Sequence, residues 1–269
     1  MIELNRLSEI YNSYDTFIID LWGVMHDGIK AYSKALETVD NLKKNKKKIV
    51  FLSNAPRPSA EVKKFLKNLN IEEKYLENIV TSGEASMQAL KEKRYGNFFY
   101  HLGPERDSKL FFNIKENKTS LEKSNFILCT GLFDHQENNL SYYENLLKKH
   151  VSKKFVCTNP DLIVHRGKKK EFCAGTIAKI FESIGGNVIY FGKPYKEIYK
   201  MCFNEGEKVI AIGDNLNTDI KGANNMNIDN ILILGGIHQS EHKNNNDQLL
   251  DLTKKYNVRV DYFQKELSW

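Results

Sequence analysis

Short apolar runs closed by turn residues alternate along the chain with longer segments whose apolar positions recur every three or four residues. That pattern predicts α/β units built on parallel strands. The first run, TFIIDL at 16–21, reads as a strand. Ala35, Leu36, Val39 and Leu42 follow at helical spacing within 32–45, and KIVFLS at 48–53 is the next strand. Ser59 is placed to cap a helix carrying Val62, Phe65, Leu66 and Leu69 on one face, and NIVTS at 78–82 closes a third strand.

The rhythm changes after Gly83. A helix-like stretch leads to NFFYHL (97–102), a looser region to about 124, FILCTG (126–131), a helix near 141–151 and KFVCTNPD (154–161). A strong α/β beat resumes with NVIYFGKP (187–194), KVIAIGD (208–214) and NILILGG (230–236). The pattern predicts a core formed by 1–83 and 187–269, interrupted by an inserted domain at 84–186. A length of 269 residues suits one main domain with an insertion.

Composition alters this picture little. An apolar fraction of 41% is that of an ordinary folded chain. The four cysteines, Cys129, Cys157, Cys173 and Cys202, form no C-x-x-C pair, which disfavours a zinc cluster or a thiol redox motif and predicts buried, reduced thiols. The N-terminal MIELNRLSEIYNSYD lacks the apolar stretch of a secretory signal, and no run approaches a membrane span, so a cytoplasmic location is expected. The net charge of +6 comes from scattered lysine blocks with no recognition motif nearby. Nucleic-acid binding is therefore disfavoured against a solvated lysine surface, and an anionic small substrate suits the same sign.

In open parallel sheets ligands bind beyond the carboxyl ends of the strands, so the polar residues there are the candidates for chemistry. Asp20 ends TFIID, where a carboxylate needs a partner or a ligand; a helix cap or a salt bridge is the alternative. Ser53 and Asn54 end FLSN before Pro56 and Pro58, offering a hydroxyl and backbone N–H groups to an anion, although Ser-Asn is also a common turn. Lys193 follows the FG of YFGKPY, with Pro194 suited to a first helical position. In AIGDNLNTDI, Asp214 and Asp219 crowd the end of one strand and the first turn of the next helix, a donor pair that suits a hard cation; helix N-capping is the alternative, though it needs only one of them.

Together FIIDLWGVMHDG, FLSNAP, FGKP and IGDNLNTDI resemble, in order, the four motifs of the haloacid dehalogenase superfamily, and TNPD at 158–161 resembles its class IIA branch. The resemblance implies a Rossmann-like parallel sheet core with an inserted α/β cap that limits entry to small substrates. It also implies that Asp20 is a nucleophile forming an aspartyl-phosphate. Mg2+ is then expected on Asp20, the backbone carbonyl of Trp22 and Asp214, with Asp219 orienting that sphere. Ser53, the Asn54 N–H and Lys193 are expected on the phosphoryl oxygens. Asn159, Asp161, His165 and Arg166, in and after TNPD, are nominated for substrate contact from the cap, with a solvated surface as the equal alternative for His165 and Arg166. A small phosphorylated metabolite is the expected partner, and a homodimer through the cap is a further expectation.

The sequence departs from the superfamily at position 22. Its phosphatases usually read D-x-D-G, where the second aspartate protonates the leaving alcohol. This chain reads D-L-W-G and resembles a class IIA subgroup that does the same. An indole offers only an N–H and moves no proton at neutral pH. His26 and Asp27 are the nearest stand-ins, with a purely structural role in the turn as their alternative. Three functions follow: a Mg2+-dependent phosphatase, a module that binds a phosphorylated ligand without cleaving it, and, more weakly, a dehalogenase.

Overall fold

The computed structural model describes residues 1–242 and 246–269. The chain begins with β1 (Ile2–Glu3), β2 (Thr16–Ile19), α1 (Ser33–Lys44), β3 (Lys48–Ser53), α2 (Ser59–Asn68) and β4 (Ile79–Thr81). It continues through α3 (Ser82–Lys91), β5 (Phe99–Leu102), β6 (Phe126–Cys129), α4 (Leu140–Leu147), β7 (Lys154–Cys157), β8 (Ile163–Arg166), β9 (Lys169–Phe172), α5 (Ala174–Ser183) and β10 (Asn187–Tyr190). Then come α6 (Lys196–Tyr199), β11 (Val209–Gly213), α7 (Lys221–Met226), β12 (Asp229–Ile233), α8 (Gln239–His242), α9 (Asn246–Tyr256) and β13 (Tyr262–Gln264).

Two parallel sheets result. The first has the order β1-β13-β12-β11-β2-β3-β4 and the second β10-β7-β6-β5, while β8 and β9 form a separate antiparallel hairpin. Strands of the first sheet are apolar at successive positions because both faces are covered. Phe17, Ile19, Ile49, Phe51, Ile210 and Ile212 pack with Val39 and Leu42 of α1 and Val62 and Leu66 of α2. The intervening Ile18, Val50, Leu52, Val209 and Ala211 pack on the other face with Ile198, Tyr199 and Ala223. The second sheet has its own core around Ile127, Phe155, Ile177 and Phe181. All four cysteines are buried and unbridged.

The structure corrects three expectations. β10 pairs with β7, Val188 opposite Phe155 and Ile189 opposite Val156, so residues 187–190 extend the second sheet rather than return to the first. Both sheets are parallel and built from short apolar runs, so periodicity alone does not assign a strand to one of them. Ser59 is the first residue of α2, and Pro58 holds the cap position without a side-chain cap bond. Pro194 does not open a helix, since the Lys193–Pro194 peptide is cis and α6 begins at Lys196.

The chain passes from β2 to β3 and β4 in one direction and from β11 to β12 and β13 in the other. The neighbours β2 and β11 therefore flank a topological switch point, where helices on opposite faces leave a crevice beyond the strand ends. Ile19 stands opposite Ile212, and the Asp20 N–H donates to the Ile212 carbonyl at 2.9 Å. That register sets the residues following the two strands side by side.

Candidate active site

Asp20, Asp214 and Asp219 converge at the switch point, with a carboxylate oxygen of each within 4.8 Å of the others. All three are buried. Lys193, itself 2% exposed, donates to Asp20 and to the Leu52 carbonyl at 3.0 Å and pairs with the Asp219 carboxylate at 2.7 Å. The family expectation put Lys193 on phosphoryl oxygens. Here it bridges two acids, and a charged ligand must share it.

Backbone geometry makes this crowding feasible. Gly23 has φ +82, and a Cβ there would lie 2.1 Å from Asp214 Oδ2. A side chain at position 23 is therefore excluded both by conformation and by space. Asp214 Oδ2 accepts the Ile237 N–H at 2.8 Å, and Asp219 Oδ2 accepts the Asn215 N–H at 3.1 Å. Asp219 lies in a π-helical turn, Leu216–Ile220, rather than in an ordinary first turn; such turns are frequent at functional sites. Ile237, in the loop after β12, was not singled out in the sequence; the paired glycines of NILILGG are the one local sign of a close approach there.

Burial pushes the Asp20 carboxyl well above its ordinary pKa; Lys193 pulls it down, while Asp219 and Asp214 add to the rise. Burial and then the charge of Asp219 push Asp214 up to about 8. For Lys193, burial works against the charged form, but the charges of Asp20, Asp219 and Asp161 outweigh it and hold the ammonium. One ammonium thus serves three crowded acids, an excess of hard oxygen donors that a divalent cation offsets. The donor set fits such an ion.

Asn54 clamps the third motif to the second. Its Oδ1 accepts the Lys193 N–H at 2.8 Å, and its Nδ2 donates to the Lys193 carbonyl at 3.3 Å and to Asp161 Oδ1 at 3.0 Å. Asp161 therefore reaches from TNPD to the edge of the cluster; burial raises its pKa, with Lys193 and Asn54 opposing. Asn159 shapes the same loop by accepting the Asp161 N–H at 3.1 Å. Ser53 Oγ accepts the Ala55 N–H at 3.2 Å and lines the cleft with Asn54 and Lys193.

Residues 17–114 match the family described as haloacid dehalogenase-like hydrolase, and residues 190–255 match a HAD-hydrolase-like family. The chain belongs to the haloacid dehalogenase-like hydrolases. A crystal structure of a haloacid dehalogenase-like family hydrolase from Brucella suis superposes with a TM-score of 0.85 and 26% identity, covering 99% of this chain and 100% of that one. A structure described as a putative nagD protein aligns with a TM-score of 0.64 and 25% identity over 84% of this chain and 90% of that one. The acid sugar phosphatase of Staphylococcus haemolyticus is 25% identical over 94% of this chain and 98% of its own length. The architecture is that of the class IIA members of the superfamily.

In this hydrolase the Trp22 side chain turns towards the cap. Its indole N–H donates to the His165 carbonyl at 2.8 Å on the β8–β9 hairpin. Phe65 of α2 stacks on the ring at 6.0 Å and 3°, His26 meets it edge-on at 4.9 Å, and the Arg166 guanidinium lies 5.3 Å from it. Phe65 was read from the sequence as part of an apolar helix face, and its place beside Trp22 has no local signal. Gly28 has φ +83, and a Cβ there would lie 2.5 Å from the indole.

His26 is 1% exposed, and its Nδ1 accepts the Gly28 N–H at 3.0 Å, so the neutral ring carries its proton on Nε2. Burial lowers its pKa to about 4. Burial works to raise the Asp27 carboxyl, but the Lys30 and Ile29 N–H groups it accepts at 2.8 and 2.9 Å, with the Lys30 charge, together hold it below the ordinary range. Both residues build the turn that carries Trp22.

Proposed function

We propose that this hydrolase is a Mg2+-dependent phosphatase of a small phosphorylated metabolite. The observation that carries the reading is the buried assembly of Asp20, Asp214, Asp219 and Lys193 at the switch point. The phosphatase names of relatives such as the acid sugar phosphatase support the reaction class. Asp20 attacks phosphorus, the ester oxygen departs with its bonding pair, and an aspartyl-phosphate forms on Asp20. Water then attacks that phosphorus, releasing inorganic phosphate and regenerating the carboxylate. Asp20, Asp214 and the Trp22 carbonyl would hold Mg2+, and Asp219 would orient that set. When bound, the ion supplies the positive charge that lets a carboxylate approach a phosphate dianion. Lys193 contributes a fixed cation to the same end, and Ser53 and the Asn54 N–H receive phosphoryl oxygens.

The test is a panel of phosphate esters assayed with and without Mg2+. Turnover in the wild type that disappears in Asp20→Asn supports the reading, and equal rates in the two proteins would overturn it. The indole at position 22 favours a second reading, in which a phosphorylated ligand is bound and not cleaved. That reading predicts Mg2+-dependent binding without product, and Trp22→Asp would then confer hydrolysis.

A further inference from the structure

The acid cluster lies at the floor of a cleft of about 860 Å3 whose cap side is formed by the β8–β9 hairpin. Two bonds tie that hairpin to the turn after Asp20: the Trp22 indole donates to the His165 carbonyl, and the Gly167 N–H donates to the Asp27 carbonyl at 2.9 Å. The indole is itself fixed by Phe65 and His26. Position 22 thus holds a segment 143 residues away in sequence against the nucleophile's own loop.

What the hairpin presents there is cationic. Arg166, Lys168, Lys169 and Lys170 all line the cleft, against Glu171 on the same hairpin. The Arg166 guanidinium rests on the Trp22 ring, and its side chain is 41% exposed. Only its Nε is engaged, by Glu171 at 3.3 and 3.4 Å; both Nη nitrogens lack a hydrogen-bond partner among the described residues. A planar fork with both Nη groups unpaired, stacked on the indole and lining the same cleft as the acid cluster, matches a carboxylate or a second phosphate.

We propose that Trp22 is a positioning residue for Arg166, and that this pair selects substrates whose leaving portion carries a second anionic group. The inference rests on the phosphatase reading of the same cleft. Stacking keeps the guanidinium from swinging into solvent, so less freedom is lost when the second anion is bound. The charge of that anion, rather than its shape, is what Arg166 reads. A carboxylate and a phosphate share this chemistry, and the choice between them belongs to the experiment.

Calorimetry in saturating Mg2+ with three unreactive probes tests it: ethylphosphonate with no second anion, phosphonoacetate with a carboxylate, and methylenebisphosphonate with a second phosphonate. The wild type is expected to bind one or both doubly anionic probes at least about ten-fold more tightly than ethylphosphonate, the worth of one charge-assisted bond. Arg166→Met keeps the stem over the indole and should erase most of that preference; Arg166→Lys should restore part of it. Trp22→Phe should shrink the preference while Arg166 is intact, a change in ratio that general loosening of the fold does not produce. The stronger doubly anionic probe identifies the group. Equal affinity for all three probes, or a preference unchanged in Arg166→Met, overturns the inference and leaves the phosphatase reading standing. Binding of none of the three overturns both.

Discussion

Position 22 decides what the nucleophile can do. An indole whose N–H is committed to the His165 carbonyl delivers no proton to a leaving oxygen. Rates should therefore depend steeply on the leaving group: p-nitrophenyl phosphate should exceed a simple alkyl phosphate in kcat/KM by about 10²–10⁴-fold, the usual worth of a missing general acid. Trp22→Asp should narrow that ratio, and steady-state kinetics on the two esters checks it. Lys193 makes the complementary point. Among the described residues it is the one ammonium paired with the buried acids, so Lys193→Met should destabilise the metal-free protein by about 3–5 kcal/mol, the cost of stranding buried charge. Urea unfolding midpoints measure this. Gly28→Ala forces a left-handed conformation on a residue with no room beside the indole, and should cost about 1–3 kcal/mol by the same measurement.

At the scale of elements, the turn after β2 and the β8–β9 hairpin behave as one body, joined by two bonds from different strands of chain. His26 sits inside that turn, and its burial has a pH signature. The folded-state pKa of about 4 lies below the ordinary 6.5, so the folded protein disfavours the charged ring. Above 6.5 the ring is neutral in both states and contributes nothing. Stability falls as pH drops below 6.5, and the loss levels off below 4 at about 3 kcal/mol. The raised pKa values of Asp20, Asp161 and Asp214 act in the opposite sense, so the signature is a difference: between pH 7 and pH 4 the unfolding free energy of His26→Gln should shift relative to the wild type by about 3 kcal/mol in the variant's favour. Part of the slope will remain, because burial lowers His101 to about 4 as well.

The elements were largely legible because their causes are local. KIVFLS at 48–53 is β3 in full, since a strand covered on both faces is apolar at successive positions, here Ile49 to Leu52. The acids at the ends of β2 and β11 stand out because a carboxylate after such a run has few other uses. The role of Trp22 was not legible, because its partners on the hairpin lie 143 residues or more along the chain. Nor was the placement of β10, whose run of Asn187–Tyr190 carries nothing that distinguishes one parallel sheet from the other.

For the whole molecule, the excess of acid over ammonium in the cluster predicts that folding and cation binding are linked. Mg2+ at about 100 times its Kd should add about 2.7 kcal/mol to stability, with Tm rising accordingly in calorimetric scans. Asp214→Asn should abolish that rise and, by relieving repulsion, raise the Tm of the metal-free protein.

The two places where the chain crosses between its sheets meet at one point. The Ser82 hydroxyl lies within hydrogen-bond reach of both the Phe191 carbonyl and, at 2.6 Å, the Thr158 carbonyl, so its one proton joins the exit to the re-entry through either. An insert whose ends touch behaves as a cassette. We expect that a short glycine-serine bridge in place of residues 83–190 would leave a body that keeps Asp20, Lys193 and Asp214, at the cost of the Gly83 N–H bond to the Ala55 carbonyl and the packing of Ala85. Under the phosphatase reading, such a protein should turn over bulkier phosphate esters than the intact chain does, which kinetics on the two proteins would measure.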